Sequence, residues 1–217
     1  MINDLKELKF YKKADLMMNK GTFKRTLFIV IEELSGANSI LKYLRLLREV
    51  DYLQSKKSCG LVILEKLWNL RLQRLGFKLG FTIAPGVLGW GCVIPHYGTI
   101  VVGTGNIIGN YAVLHTSICI TAGRKIIGDG LYCSTGAKIL NDIELGNGVT
   151  IGANAVVNKS FCDSEIMLAG CPSNIIKKRD SWYKRDGKEY YRRYRECQIL
   201  YEKTFNERAF CYESDKK

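Results

Sequence analysis

Histidine is the scarcest chemistry in this chain: His96 and His115 are the two it has in 217 residues. A metal centre built on three histidine ligands is therefore excluded. The eight cysteines do not replace it, because Cys59, Cys92, Cys119, Cys133, Cys162, Cys171, Cys197 and Cys211 form no C-x-x-C pair. Their scatter argues against a zinc site and against a disulfide framework, so no metal is expected and a reducing cytoplasm is the expected compartment. Long apolar runs are missing too. The run at residues 27–31 is far too short to span a bilayer, and the acid at Asp4 comes too early for a signal peptide.

Acidic charge is short relative to basic, with 21 Asp and Glu against 33 Lys and Arg, for a net +12. The excess sits on the flanks: residues 1–80 carry 16 basic and 8 acidic side chains, residues 81–176 carry 4 and 5, and residues 177–217 carry 13 and 8. A basic surface attracts nucleic acid, anionic lipid and acidic polysaccharide alike, so charge selects no partner. Peripheral contact with an anionic membrane or glycan through the flanks is compatible with it. No nucleic-acid recognition motif accompanies the tyrosine- and arginine-rich C-terminal segment, and nucleic acid is not an expected partner.

What the middle of the chain does have is a period of six. Apolar residues stand at Val102, Ile108, Leu114 and Ile120 and, after a one-residue slip at Gly123-Arg124-Lys125, at Ile127, Cys133, Ile139, Leu145, Ile151 and Val157. Six suits neither a helix, at about 3.6, nor a long alternating strand, at about 2. It suits short parallel strands joined by tight corners, one residue of each hexad facing a narrow core. The fold class expected is mainly β, a hexapeptide-repeat solenoid over 81–176, between an α-helical region over 1–80 and a basic helical extension over 177–217.

In the first region, Asn38 or Ser39 caps a helix running to about Leu53, and a second follows from Leu61 to about Leu75, with residues 55–60 as a loop. Residues 1–36 give no clear assignment. Beyond Pro172 the period is lost, Lys177-Lys178-Arg179 forms a basic knot, and a helix is expected from about Lys188 to Phe210, with Tyr190, Tyr191, Tyr194, Tyr201 and Phe205 as its packing face.

The interval from Ile94 to Val102 is longer than the period allows, and the excess places a loop at His96. A histidine on a loop against a rigid wall suits a general base near neutral pH. These residues resemble a known family. His96-Tyr97-Gly98-Thr99-Ile100-Val101-Val102-Gly103, Ile127-Gly128-Asp129-Gly130, the stretch 145–157 and Ala169-Gly170-Cys171-Pro172 are similar, in consistent order, to the signature of hexapeptide-repeat acyltransferases. The similarity lies within their serine O-acetyltransferase-like branch.

The resemblance implies a left-handed parallel β-helix, a homotrimer, and acetyl-CoA as co-substrate in the groove between neighbouring columns. It implies that His96 is the catalytic base, that a backbone N–H near Thr121, Ala122 and Gly123 is the oxyanion donor, and that Thr135 and Ala153 let the pantetheine arm approach. Lys177 and Lys178 would meet the cofactor's phosphates. Trp90, Tyr97 and His115 are the candidates for the acceptor.

Three departures bear on that acceptor. Serine acetyltransferases carry an aspartate before the catalytic histidine, where this chain has Pro95. They carry a carboxylate in the preceding turn, where it has Thr82, and a second histidine in a longer loop, where it has Gly123-Arg124-Lys125. The expected reading is O-acetylation of a saccharide, as in the branch found in capsule and exopolysaccharide gene clusters. Serine O-acetylation is the alternative, and a non-catalytic trimeric scaffold is a third reading.

Overall fold

The computed structural model describes residues 2–56 and 59–207. Four helices come first: α1 (Leu5–Lys20), α2 (Leu27–Ser35), α3 (Ser39–Gln54) and α4 (Cys59–Leu79). The unassigned N-terminus is thus two helices, each with its own stop signals. Asp4 caps α1 by accepting the Glu7 N–H, and Gly21 ends it at a φ of 72° that favours glycine. Thr26 caps α2. The expected helix at 39–53 is α3, and α4 runs past the expected ends at both sides. Part of the loop expected at 55–60, residues 57 and 58, lies outside the described residues.

Thirteen strands follow: β1 (Phe81–Ile83), β2 (Ile100–Val102), β3 (Ile107–Ile108), β4 (Val113–Leu114), β5 (Ile118–Ile120), β6 (Ile126–Ile127), β7 (Tyr132–Cys133), β8 (Lys138–Ile139), β9 (Glu144–Leu145), β10 (Thr150–Ile151), β11 (Val156–Val157), β12 (Ile166–Gly170) and β13 (Ser173–Lys178). They form three walls. The first is β1-β2-β5-β8-β11, the second β3-β6-β9, and the third β13-β12-β10-β7-β4. Pairing is parallel from turn to turn, with Val102 on Ile120 and Ile120 on Ile139. Only β13 turns back, antiparallel to β12. The basic knot expected at 177–179 is therefore the last two residues of a strand and the residue that follows it.

Each of the ten apolar slots is buried in one continuous core. One slot per hexad suffices because a second inward position, just ahead of the short strand, is small or aliphatic, as at Ala112, Leu131, Ala137 and Ala155. The slip at 123–125 is absorbed at one corner. There Lys125 takes an inward place, above Asn106 of the turn before.

The third wall and the corner leading into it are covered by helices. Two more elements, α5 (Trp182–Arg185) and α6 (Lys188–Phe205), fold back and pack with α1. The last helix ends at Phe205, short of the expected Phe210, because Asn206 takes a left-handed φ of 56° and caps it; residues 208–210 lie outside the described residues. Trp90 is enclosed there by Phe10, Tyr111 and Tyr201, with ring centroids 4.9, 4.6 and 5.8 Å away. Beneath them a ladder ties successive turns: Trp90 N–H donates to Asn110 Oδ1, Asn110 N–H to Asp129 Oδ1, Asp129 N–H to Asn147 Oδ1, and Asn147 N–H to Ser164 Oγ. The side chain of each corner residue thus satisfies a backbone donor one turn below.

The N-terminal helices are fastened by a buried ion pair. Arg48 donates to Asp15 at 2.8 and 3.2 Å and to the carbonyls of Leu88 and Gly89 at 2.6 Å each. Asp15 also accepts the Cys92 N–H at 3.0 Å. The two charges are paired and their remaining donors and acceptors are met by the first turn of the solenoid, the condition under which such a pair is tolerated.

Candidate active site

The corner between the third wall and the first forms one edge of the column. In the first turn it is the loop from Pro95 to Thr99, whose Pro95, His96, Tyr97 and Thr99 are exposed. The loop is held by its backbone: Gly98 N–H donates to the Leu79 carbonyl at 2.8 Å, and Ile100 N–H to the Gly80 carbonyl at 3.0 Å. Gly80, at φ 79°, comes so close to Gly98 that an added Cβ would lie 2.9 Å from its carbonyl.

One turn up, the same edge carries His115, whose ring centroid is 6.5 Å from that of His96. His115 Nε2 lies 2.9 Å from the Tyr132 hydroxyl, in hydrogen-bond contact. Arg185 closes this side, with its guanidinium carbon 5.3 Å above the Tyr132 ring, and donates to Thr150 Oγ1 at 3.1 Å and to the Asp186 carboxylate at 2.8 Å. Partial burial lowers the pKa of His115 and the neighbouring His96 adds to this, against the pull of Asp186. Burial raises that of Tyr132. The contact therefore joins a histidine that favours its neutral form to a tyrosine that keeps its proton.

Higher on this edge come Thr135 and Ala153, both exposed, with Asn154 N–H donating to the Thr135 carbonyl at 2.9 Å. His96, Tyr97, His115, Thr135 and Ala153 thus share one edge. Trp90 does not. It is buried under α1 and α6 at another corner, because a large aromatic ring at the helix–solenoid seam is held by its packing, so its expected contact with the acceptor is corrected to a core role. Lys177 and Lys178 are exposed on β13, beside an open hollow of about 600 Å³ that Arg179 and Arg185 also line.

Thr121, Ala122 and Gly123 lie at the next edge, across the first wall from His96. Thr121 N–H donates to the Ile139 carbonyl and Gly123 N–H to the Thr104 carbonyl. Ala122 is exposed, and among the described residues its N–H has no partner. The carbonyl of the same peptide, on Thr121, accepts from Asn106 Nδ2 and from Lys125 Nζ, each at 2.9 Å. Asn106 and Lys125 were not among the expected site residues; the signal for Lys125 was a charged residue at the slip, in an inward place.

The fold and this edge define a left-handed hexapeptide-repeat β-solenoid with an exposed histidine at a corner of its first complete turn. The chain is similar to serine acetyltransferases. It is 30% identical over 156 residues to that of Buchnera aphidicola subsp. Acyrthosiphon pisum, covering 64% of this chain and 54% of the relative. It is 35% identical over 101 residues to that of Escherichia coli K12, covering 43% and 37%. The chain thus spans about half the length of the curated relatives it matches or less. Among solved structures, a serine acetyltransferase from Brucella abortus strain S19 superposes with a TM-score of 0.60 at 21% identity, over 80% of this chain and 69% of that one. A serine acetyltransferase in complex with CoA superposes at 0.58 and 20% identity, over 78% and 67%. These likenesses fix the fold. No family model matches the chain.

Proposed function

We propose that this chain is a hexapeptide-repeat O-acetyltransferase that takes its acetyl group from acetyl-CoA. The acceptor oxygen bonds to the thioester carbonyl carbon as His96 takes its proton; the carbon–sulfur bond then breaks, and the proton passes to the departing thiolate. The observation that carries the reading is the exposed His96 on a backbone-fastened loop, at the foot of an edge that carries His115 one turn up and the smaller Thr135 and Ala153 above it. Acetyl-CoA suits that edge, where Thr135 and Ala153 leave the backbone open to a slender arm; Lys177 and Lys178, opposite Met167 and Ile166 of β12, lie toward the other margin of the third wall and do not line it. Ala122 N–H is the donor for the developing oxyanion, since its neighbours' N–H groups are already engaged. Tyr97 and His115 face the acceptor.

Because His96 and Ala122 stand on different edges of one column, the reading requires a second copy to bring them together, and a homotrimer does so with the His96 edge and the Ala122 edge of each copy used once. A cytoplasmic setting suits an acetyl-CoA donor. The basic flanks suit contact with the inner membrane face, and no described helix is long and apolar enough to cross a membrane.

For the acceptor, the names of the relatives favour serine over a saccharide. One local feature favours the saccharide: Pro95 and Thr82 stand where serine acetyltransferases carry carboxylates, so the charges suited to an amino acid's ammonium are missing. Thiol release from acetyl-CoA, with serine in one reaction and a panel of nucleotide sugars and oligosaccharides in another, separates the two. Turnover with serine alone establishes the first reading, and turnover with a sugar alone the second. His96→Ala is expected to lower turnover by roughly 10²–10⁴-fold while leaving the fold intact. Near-normal activity in that variant removes His96 from the mechanism.

A further inference from the structure

An open groove of about 680 Å³ runs between α3 and α4. Its lining is strongly basic. Arg25, Lys42, Arg45, Arg71, Arg74 and Lys78 face it, with Trp68, Leu46 and Leu75 as apolar floor and Glu49 as its one acid. Two of the cations are occupied: Arg25 and Arg45 both hold Glu33. The acid is occupied too, by Lys12 at 2.6 Å and by the Trp68 indole N–H at 2.8 Å. Lys42, Arg71, Arg74 and Lys78 have no carboxylate partner among the described residues.

Three of these four stand on a single face of α4, at i, i+3 and i+7, where like charges repel. Arg71 lies over the Trp68 ring, 4.6 Å from its centroid, which holds its guanidinium at the groove. In the wall behind, Arg45 Nε is buried with no hydrogen-bond partner. The groove therefore concentrates cationic donors, leaves their charge unmet, and offers apolar surface beside them.

We propose that this groove binds an organic pyrophosphate. Two guanidiniums and two ammoniums within one groove suit closely spaced anionic oxygens, which guanidinium forks engage two at a time. The Trp68–Leu75 floor receives the organic part. The far end of the groove adjoins the His96 loop: Lys78 is followed by Leu79, whose carbonyl holds Gly98 N–H, and by Gly80, packed on Gly98. A ligand seated there bears directly on that loop. The proposal stands whether or not the chain transfers acetyl groups.

The test is calorimetric titration of the whole chain with inorganic pyrophosphate, UDP-glucose and farnesyl diphosphate, in the wild type, in His96→Ala and in the triple variant Arg71→Gln/Arg74→Gln/Lys78→Gln. Pyrophosphate is expected to bind the first two equally and the triple variant at least about tenfold more weakly. Tighter binding of UDP-glucose or of farnesyl diphosphate identifies a nucleotide-linked or a lipid-linked source. The altered side chains are exposed, so the triple variant should melt as the wild type does, and Lys42→Gln on α3 provides a second, milder reduction. Absence of pyrophosphate binding at millimolar concentration overturns the proposal. So does equal affinity in the wild type and the triple variant, or stronger binding of a glucuronate oligosaccharide.

Discussion

At Thr121 a buried amide and a buried ammonium share one carbonyl. Lys125 is enclosed, and burial lowers its pKa while Asp142 opposes the shift. A charge in that place does little for stability, because an apolar side chain of similar volume fills it without desolvating an ammonium. It does polarise the peptide whose N–H belongs to Ala122. Lys125→Met is accordingly expected to keep or raise the melting temperature while lowering acetyl-transfer kcat by about tenfold, a split that a purely structural lysine does not produce. Unchanged kcat would detach Lys125 from the reaction. His115 gives a pH signature on the opposite edge. Its pKa in the folded chain lies below the ordinary value near 6.5, so its contribution to stability is complete above that value and is lost as pH falls through the lowered pKa. The imidazole C–H resonance of His115 should titrate with a midpoint below 6.5, and the unfolding midpoint should fall over the same interval. A midpoint at or above 6.5 contradicts the burial that the structure assigns to it.

Among the elements, the solenoid was legible because its signal repeats: every inward slot from Val102 to Val157 is buried, and one slipped corner does not disturb the register of the rest. The loop at His96 was legible for the same reason, as an interruption of a counted period. The α1 helix was harder to see. Phe10, Ala14, Met17 and Met18 do follow helical spacing, but Lys9, Lys12 and Lys13 between them dilute the pattern, and α2 presents Leu27, Phe28, Ile31 and Leu34 outward, against the usual polarity of an exposed face. The seam between helices and solenoid was not legible at all, since it rests on a pairing of Asp15 with Arg48 that only the fold creates. Its energetic weight can be measured. Asp15→Ala leaves the Arg48 guanidinium buried without its counter-charge and should cost about 3–5 kcal/mol in urea unfolding, while Asp15→Leu/Arg48→Met should restore much of the loss. If the single change costs less than about 1 kcal/mol, the helices are held to the column by the aromatic cluster around Trp90 and not by the ion pair.

For the whole molecule, the proposed pairing of His96 with Ala122 sets a condition that needs a second copy. The helices cover the third wall, and the first wall meets a helix at β1, where Phe81 packs on Tyr43 of α3; Ile107 and Ile126 point outward from the second wall and Val101 and Cys119 are half-buried on the first. His96 stands at one margin of the first wall and the unpartnered Ala122 N–H at the other, so each copy offers half of the proposed site on each side. Subunit mixing tests this arrangement. His96→Ala removes the base, and Ala122→Pro removes the N–H without breaking any hydrogen bond that the fold uses. Each variant alone is expected to be nearly inactive in acetyl transfer. If sites form between copies, co-refolding the two in equal amounts makes sites that draw His96 from one chain and Ala122 from the other, and random assembly restores about a quarter of wild-type turnover. If both groups act within one chain, every mixed assembly carries a defect at every site and activity does not return. Recovery would also establish in one step that the active species is an oligomer and that the corner at Ala122 takes part in its chemistry.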